Sequence, residues 1–124
     1  MSHLELRARM VVRPGQLEGF REQAAELMRL TRELDTHTLR YDWFISEDET
    51  RCEVHEAYDS EEGLFEHNEH IMAARKRLFR DFADGHHMTA YGEVSQRLVD
   101  LSKVHAGGLE RYAFLSGLQP EPTI

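Results

Sequence analysis

Two hydrophobic periods alternate along the chain and predict its elements. Apolar side chains at every second position, as in residues 4–12, are typical of a strand that buries one face. Apolar side chains three or four positions apart, as in residues 16–34, are typical of an amphipathic helix. These patterns predict strands at residues 4–12, 38–46, 51–59 and 88–94, and helices at residues 16–34 and 60–83. The order β-α-β-β-α-β is the ferredoxin-like arrangement of an α+β fold.

The two middle strands form a predicted hairpin, because only the short charged segment 47–50 separates them. Alternation places four side chains of the first strand on one face: Leu39, Tyr41, Trp43 and Ile45. It does the same for four side chains of the second strand: Cys52, Val54, Glu56 and Tyr58. His55 is therefore expected on the opposite face of its strand.

The second helix has recognisable signals at both of its ends. Ser60 is a favourable N-cap, and the helical pattern continues to about Ala83, either as one helix or as a short helix joined to a longer one. The pair Asp84-Gly85 is expected to stop the helix. His86 and His87 would then cap its terminal carbonyl groups.

Residues 96–124 do not belong to the ferredoxin-like unit, which we place at residues 1–95. Residues 96–103 have the pattern of a helical turn, and Ala106-Gly107-Gly108 has the composition of a hinge. The stretch Leu109–Leu118 is too apolar for a free tail. We therefore expect this C-terminal extension to pack on the sheet or on a partner subunit.

Composition argues against several classes of partner. The chain has 124 residues and a formal charge of -8, which argues against binding to nucleic acid or to an anionic membrane. Its single cysteine, Cys52, fits a reducing compartment. No apolar run approaches the roughly 20 residues of a membrane span, and the N-terminus lacks the apolar core of a signal peptide, so a cytoplasmic location is expected.

Eight histidines make a high count for this length, and two of them stand three positions apart on the second helix. His67 and His70 therefore share one helix face. Two such imidazoles could bind a metal ion, but they would need a further ligand from another segment. The interpretation that we prefer is a polar helix face without a metal.

Four aromatic side chains with polar tips lie on predicted strands: Tyr41, Trp43, Tyr58 and Tyr91. Such residues suit the wall of a pocket for a planar ligand, although plain sheet packing is the better explanation for any one of them. The proximity of His55, Glu56 and His67 in the predicted fold favours the pocket. No nucleophile elbow and no glycine-rich phosphate loop is present, so no motif supports a flavin or nicotinamide cofactor.

Three runs of this sequence carry a resemblance to a known family: RPGQLEGFREQAAEL, TLRYDWFISED and CEVHEAYDSEEGLFEH. They combine Pro-Gly before an amphipathic helix, a Leu-x-Tyr strand, and a strand ending in Glu-x-Tyr before an acidic N-cap and a histidine-bearing helix. Over residues 4–95 the chain resembles the antibiotic biosynthesis monooxygenase family. The resemblance implies a homodimer in which two ferredoxin-like sheets close into a dimeric α/β barrel.

The resemblance also implies a chemistry. Members of the family include oxygenases that oxidise polycyclic phenols without metal, flavin or haem, because the deprotonated substrate itself reduces O2. Other relatives degrade haem or quinols. His67 matches the first histidine of the family's helix pattern, while Met72 stands where a second is usual. Val54 replaces an asparagine of the polyketide oxygenases, and the Asn, Trp and His set of the haem-degrading branch has no counterpart here.

The leading hypothesis is a cofactor-independent monooxygenase that oxidises an aromatic phenol, quinol or polyketide-type substrate with O2. His67 or His55 would be the base, since imidazole has an ordinary pKa of about 6.5. The substrate would contact six further residues: Tyr41, Trp43, Tyr58, Asn68, His70 and Tyr91. Two alternatives remain open at this point. One is a non-catalytic dimer that binds a small ligand, and the other is a polyketide cyclase or isomerase.

Overall fold

The computed structural model describes residues 3–119, which form one sheet with helices on one of its faces. The first six elements follow the predicted order β-α-β-β-α-β, and a helix and a short strand are added after them. In chain order the elements are β1 (Leu4–Val12), α1 (Leu17–Leu34), β2 (Thr38–Ile45), β3 (Arg51–Tyr58), α2 (Glu61–Asp81), β4 (Ala83–Tyr91), α3 (Gln96–Ala106) and β5 (Leu109–Tyr112).

The strand order in the sheet is β2-β3-β1-β4-β5. The first four strands pair antiparallel, with β1 in the centre between β3 and β4. After β4 the chain crosses through α3, so that β5 pairs parallel to β4. The ferredoxin-like α+β fold predicted from the sequence is confirmed, and the C-terminal extension adds one strand to the edge of the sheet.

The alternation of β1 explains where the core lies. All five residues on its inner face are at most 5% exposed: Leu4, Leu6, Ala8, Met10 and Val12. The helices contribute Phe20 and Leu27 from α1 and Ile71 and Leu78 from α2, all of them buried. Because the core helices pack on this face, the other face of the sheet is the one that we call uncovered, meaning that it carries none of these buried helix residues.

The predicted boundary between the second helix and the last strand is wrong. β4 begins at Ala83, five residues before the predicted start at Met88, and Asp84 and Gly85 lie inside it. Pairing with β1 outweighs the Asp-Gly turn signal, and the register shift between Arg9 and Val11 accommodates Gly85 at a φ of 69°. The pair that was expected to stop the helix thus belongs to the strand.

His86 and His87 do not cap the second helix, because the shifted boundary puts both of them in β4. His86 instead bonds to the C-terminal end of α3, through Nδ1 and the carbonyl oxygen of His105, which lie 2.8 Å apart. His87 lies on the other face of the strand, 3.6 Å from Glu110. The capping prediction is therefore wrong for both residues.

Other expectations about single elements have mixed outcomes. Ser60 is the N-cap of α2, a single continuous helix, and its Oγ accepts a hydrogen bond from the backbone N–H of Gly63. The predicted turn after residue 95 is a full helix that ends at Gly107 in the left-handed conformation. Leu39 was expected on the inner face of β2, but a register shift next to it leaves its side chain 62% exposed. Among the described residues, none of the helices is long and apolar enough to cross a membrane.

Candidate active site

An internal cavity of about 50 Å³ lies between the sheet and the helices. Its walls come from the inner faces of β2, β3 and β4, from one side of α2, and from α3, which covers it. The lining is mostly apolar, but several polar side chains reach it. A largely apolar lining with a few convergent polar groups is typical of a ligand site.

His67 is the most enclosed polar side chain on this cavity, with 2% of its surface exposed. Its Nδ1 lies 2.6 Å from Oδ2 of Asp35, and Nδ1 of His70 lies 2.6 Å from Oδ1 of the same carboxyl group. Thr38 donates a third hydrogen bond to Asp35 from its Oγ1. The carboxyl group of Asp35 therefore organises two imidazoles at once.

The charge of Asp35 fixes which nitrogen of His67 carries the proton. Burial alone would raise the pKa of Asp35, but the hydrogen bonds from His67, His70 and Thr38 outweigh it and lower the pKa to about 2. A carboxylate can only accept, so Nδ1 of His67 must donate. In the neutral ring Nε2 then carries the free lone pair, which is the arrangement that a general base needs.

The fold brings Asp35 to α2 by a close approach of backbones. Asp35 is the C-cap of α1, where a negative charge is unfavourable to the helix dipole and two imidazole donors offset it. Gly63 lets α2 lie close to the loop that follows α1. A Cβ at position 63 would lie 2.9 Å from Cβ of His37, which belongs to that loop. Glu66 fixes the same loop by accepting from the backbone N–H and Oγ1 of Thr36, at 2.9 and 2.8 Å.

Three buried polar nitrogen atoms in the cavity wall lack a hydrogen-bond partner within residues 3–119. They are Nε2 of His67, Nη2 of Arg75 and Nε1 of Trp43. Buried polar groups in proteins are nearly always paired, so a concentration of unpaired ones at a cavity points to a ligand. Burial lowers the pKa of Arg75, and the nearby negative charge of Glu56 opposes that effect.

Two tyrosines remain protonated next to these groups. Burial raises the pKa of Tyr41 well above its usual value, and the charge of Glu56 adds to the effect. The same two causes raise the pKa of Tyr58, whose hydroxyl donates to Oε1 of Glu56. The rings of Tyr41 and Tyr58 have centroids 4.6 and 5.5 Å from that of His67. The site thus combines a base with hydroxyl groups that keep their protons.

His86 forms another part of the wall. Burial lowers its pKa to about 4, and the positive charge of Arg75 acts in the same direction, so the ring is neutral at neutral pH. It stacks on Phe79 with ring centroids 4.4 Å apart. Because the carbonyl oxygen of His105 can only accept, Nδ1 of His86 is the donor. This bond ties the end of α3 to the sheet.

The structure brings together only part of the predicted site. Tyr41, Trp43, His67 and Asn68 line the cavity. Tyr58 lies behind it and supports Glu56, while His70 bonds to Asp35 from outside.

His55 and Tyr91 lie on the uncovered face of the sheet, away from the cavity. His55 is next to Phe44, with ring centroids 4.8 Å apart, and Tyr91 is stacked on Tyr112. The structure therefore does not place these two predicted residues in one cavity with His67.

The sequence interpretation missed Asp35 and Arg75 altogether and assigned His86 to a helix cap. A signal for Arg75 was present, since His67, Ile71 and Arg75 follow one another at intervals of four on α2. A cation in line with a buried apolar face of a helix needs a reason. Asp35 gave no comparable signal, because it meets His67 across 32 positions of sequence.

One group of side chains has the geometry for a cation. Ligand atoms of Asp35, Glu66 and His70 lie within 4.8 Å of one another. However, the oxygens of Asp35 already accept from His67, His70 and Thr38, and Glu66 accepts two hydrogen bonds from Thr36. These hydrogen bonds already account for the cluster, so we assign no metal to it.

Comparison with known protein families identifies the family of this chain. The sequence profile of the family described as antibiotic biosynthesis monooxygenase matches residues 4–87, more than half of the chain. The chain belongs to this family. The matched segment contains β1 to the first half of β4, and it therefore includes Asp35, His67 and Arg75 but not α3 or β5. No curated protein sequence is similar enough to match the chain.

Solved structures share the fold of this family member at low sequence identity. MupZ from Pseudomonas fluorescens is 16% identical, with a TM-score of 0.77, over 96% of this chain and 95% of its own. A Caulobacter crescentus protein assigned to the same family is 20% identical, with a TM-score of 0.67, over 76% and 92%. Rv0793 from Mycobacterium tuberculosis is 22% identical, with a TM-score of 0.65, over 77% and 98%.

Proposed function

We propose that this family member is an enzyme in which His67 removes a proton from a phenol-type substrate. The observation that carries the proposal is the state of His67: Asp35 holds its Nδ1–H, and its Nε2 is buried at the cavity without a partner among residues 3–119. A base that is held in one tautomer on the wall of a cavity is prepared for proton abstraction. His55 lies outside the cavity and has no part in this proposal.

The anion that results would be stabilised by the unpaired donors of the same wall. Arg75 offers a positive charge at Nη2 and Trp43 offers an N–H at Nε1. In an enclosure from which water is excluded, such preorganised donors stabilise developing negative charge more strongly than water does. We therefore propose that the phenolate oxygen lies near Arg75, while the rings of Tyr41 and Trp43 contact the aromatic plane.

The proposed oxidant is O2, in line with the reaction for which the family is named. The phenolate ring gives electrons to O2 without a flavin or metal. Overall the phenol loses two hydrogen atoms and gains one oxygen atom to become a quinone, and the second oxygen atom leaves as water. In this scheme His67 takes the hydroxyl proton and returns a proton to the departing oxygen.

A second candidate is an isomerase or cyclase that moves protons without O2. It is favoured by Tyr41, whose raised pKa keeps its hydroxyl protonated on the same cavity as His67. A base together with a hydroxyl that donates a hydrogen bond to the resulting anion suits a proton-transfer reaction. The two candidates share the deprotonation step and differ only in the fate of the resulting anion.

Oxygen consumption separates the two candidates. We expect the purified protein to consume dissolved O2 with dihydroxynaphthalenes or naphthols, in excess of their spontaneous oxidation, and to transfer one labelled atom from isotopically labelled O2 to the product. Mass spectrometry of the product distinguishes the oxygenase from the isomerase. A product of unchanged mass, formed equally well under argon, would favour the isomerase. Absence of any product with the whole panel would contradict both candidates.

We further propose that the chain forms a homodimer through the uncovered face of the sheet. That face carries large exposed apolar groups, with Phe44 49% and Tyr112 53% exposed, beside the charged side chains of Arg7, Arg9 and Glu53. Exposed aromatic groups on a face that no helix covers are typical of an interface. Sedimentation equilibrium is expected to give twice the 14.5 kDa chain mass. The matched variant Phe44→Asp should shift the mass toward one chain, and a wild-type protein of single-chain mass would refute the proposal.

A further inference from the structure

A second concave surface lies directly outside the cavity, in a groove of about 320 Å³ between α2 and α3. Its lining includes apolar side chains, namely Phe65 from α2 with Leu101 and Val104 from α3. The Val104 side chain is 77% exposed and lies at the edge of the groove. The groove therefore offers apolar surface with no protein partner among the described residues.

The groove and the cavity share two lining residues. Asn68 and Leu101 line both the internal cavity and the outer groove. The two spaces therefore meet at this pair, and rotation of the Leu101 side chain would change the opening between them. We call this pair the throat.

The size of the cavity requires such a connection. An engineered protein cavity that binds benzene measures about 150 Å³, and ligand sites generally measure about 300–1,000 Å³. The cavity of about 50 Å³ beside His67 is too small to enclose a phenol and its substituents. The groove supplies the missing volume, and it adjoins the cavity at the throat.

The charges around the groove determine what it can accept. Arg97 lies over the Phe65 ring, with the guanidinium carbon 3.8 Å from its centroid, and its Nη1 lies 3.1 Å from Oε1 of Glu62. Its positive charge is thus already engaged. Glu69 and Asp100 remain on the rim, so the groove presents apolar surface beside negative charge. It disfavours a carboxylate and favours an uncharged apolar chain.

We propose that the groove between α2 and α3 is the outer half of the substrate site and takes an uncharged alkyl-type chain attached to the phenol. This inference rests on the proposed function, because the phenol head is placed next to His67. The α3 half of the groove is formed by residues after position 87 and so lies outside the segment that matches the family profile. The groove is therefore a source of substrate specificity that the shared family segment does not supply.

Trp43 provides a direct binding signal, because it is the single tryptophan of the chain and lines the cavity. The probes are phenol and 4-alkylphenols of increasing chain length, from propyl to hexyl, with fluorescence excited selectively at tryptophan. In the wild-type chain we expect the dissociation constant to fall about fourfold for each added methylene until the groove is filled. Phenol itself is expected to bind weakly.

Two variants at an exposed position test whether the groove is the origin of this dependence. Val104→Phe places a larger side chain at the edge of the groove, and Val104→Asp places a charge there. Both are expected to abolish most of the chain-length dependence. Lys103→Phe is the matched control, because Lys103 is exposed on the same helix and does not line the groove. It should behave like the wild type.

The outcomes separate the groove from the proposed reaction. A chain-length dependence that survives in both Val104 variants, or that is lost equally in Lys103→Phe, would overturn the groove assignment. Binding that depends on chain length without O2 uptake would contradict the oxygenation and leave the groove standing. O2 uptake with a KM that is independent of chain length would support the oxygenation and contradict the groove assignment. If no probe quenched the fluorescence of Trp43, both the groove assignment and the proposed phenol site would be contradicted.

Discussion

Replacement of His67 by Gln is expected to lower the turnover number about 10²–10⁴-fold, which is the contribution of a positioned general base. The loss follows from the geometry, because Nε2 of His67 is the unpaired acceptor at the cavity while Nδ1 is held by Asp35. Gln can still donate from its amide to Asp35, so the buried carboxylate keeps a partner. The measurement is the steady-state rate of O2 uptake with the best naphthol substrate, at saturating concentration and across a range of pH.

His55→Gln is the matched control for this experiment. His55 is also a histidine near the sheet, but it lies on the uncovered face, where its ring is next to Phe44. Its replacement is expected to leave the turnover number within about twofold. A His67→Gln enzyme that keeps its native melting temperature and more than a tenth of wild-type turnover would show that His67 is not the base. Partial recovery of a His67→Ala variant by added imidazole would support the assignment further.

The fold was largely predictable because its signals are local. Alternation in β1 and β3 and the helical spacing of α1 depend only on neighbouring residues, and all three elements lie within one residue of their predicted ends. β4 shows where local reasoning fails. The pair Asp84-Gly85 has the composition of a turn, but pairing with Val11 and Val12 draws this segment into the sheet.

The same rule of alternation also separates the predicted site residues. Tyr41 pairs with Glu56 and Trp43 with Val54, so all four point to the helices. His55 stands between Val54 and Glu56 and must point away. Tyr91 pairs with Glu5, which alternates with the buried residues of β1. The alternation along each strand therefore already indicated that His55 and Tyr91 lie outside the pocket, although the composition of the strands alone suggested one shared pocket.

Other parts of the site could not be predicted, because they depend on contacts between distant segments. Asp35 meets His67 only after the loop behind α1 has packed against Gly63 at the start of α2. His86 meets the carbonyl group of His105 through the placement of α3 on the sheet. A sequence pattern records which residues share a face of one element but not which loop end comes to lie beside that face.

Replacement of Asp35 by Asn is expected to lower turnover by about 10²–10⁴-fold, although the side chain at this position would not touch the substrate. The carboxylate accepts from Nδ1 of both His67 and His70, and it stabilises the imidazolium that forms when His67 takes a proton. Asn has one acceptor oxygen and one NH2 group. One histidine must then face a donor, and neither keeps a negative charge beside it. The expected signature is a lowered kcat with little change in KM, together with a shifted pH profile.

The same substitution is expected to change stability in a pH-dependent way. The pKa of Asp35 is lowered from 3.8 to about 2, because the hydrogen bonds from His67, His70 and Thr38 outweigh the effect of burial. A lowered pKa in the folded state means that ionisation stabilises the fold, by about 2 kcal/mol above pH ~4. This contribution is lost as the pH falls from about 4 to about 2. Urea unfolding of Asp35→Asn should therefore show a smaller loss of stability than the wild type over that window.

A second Asp–His pair in this chain supplies the control for both effects. Nδ1 of His37 lies 2.7 Å from Oδ2 of Asp59, but this pair is at the surface and away from the cavity. Because solvent screens an exposed pair, Asp59→Asn should change unfolding free energy by less than about 1 kcal/mol and leave turnover unchanged. Equal losses of turnover and of stability in Asp35→Asn and Asp59→Asn would mean that both Asp–His pairs serve only to stabilise the fold. A loss of kcat in Asp35→Asn alone, with the pH profile shifted, is the result that identifies Asp35 as the residue that positions the base.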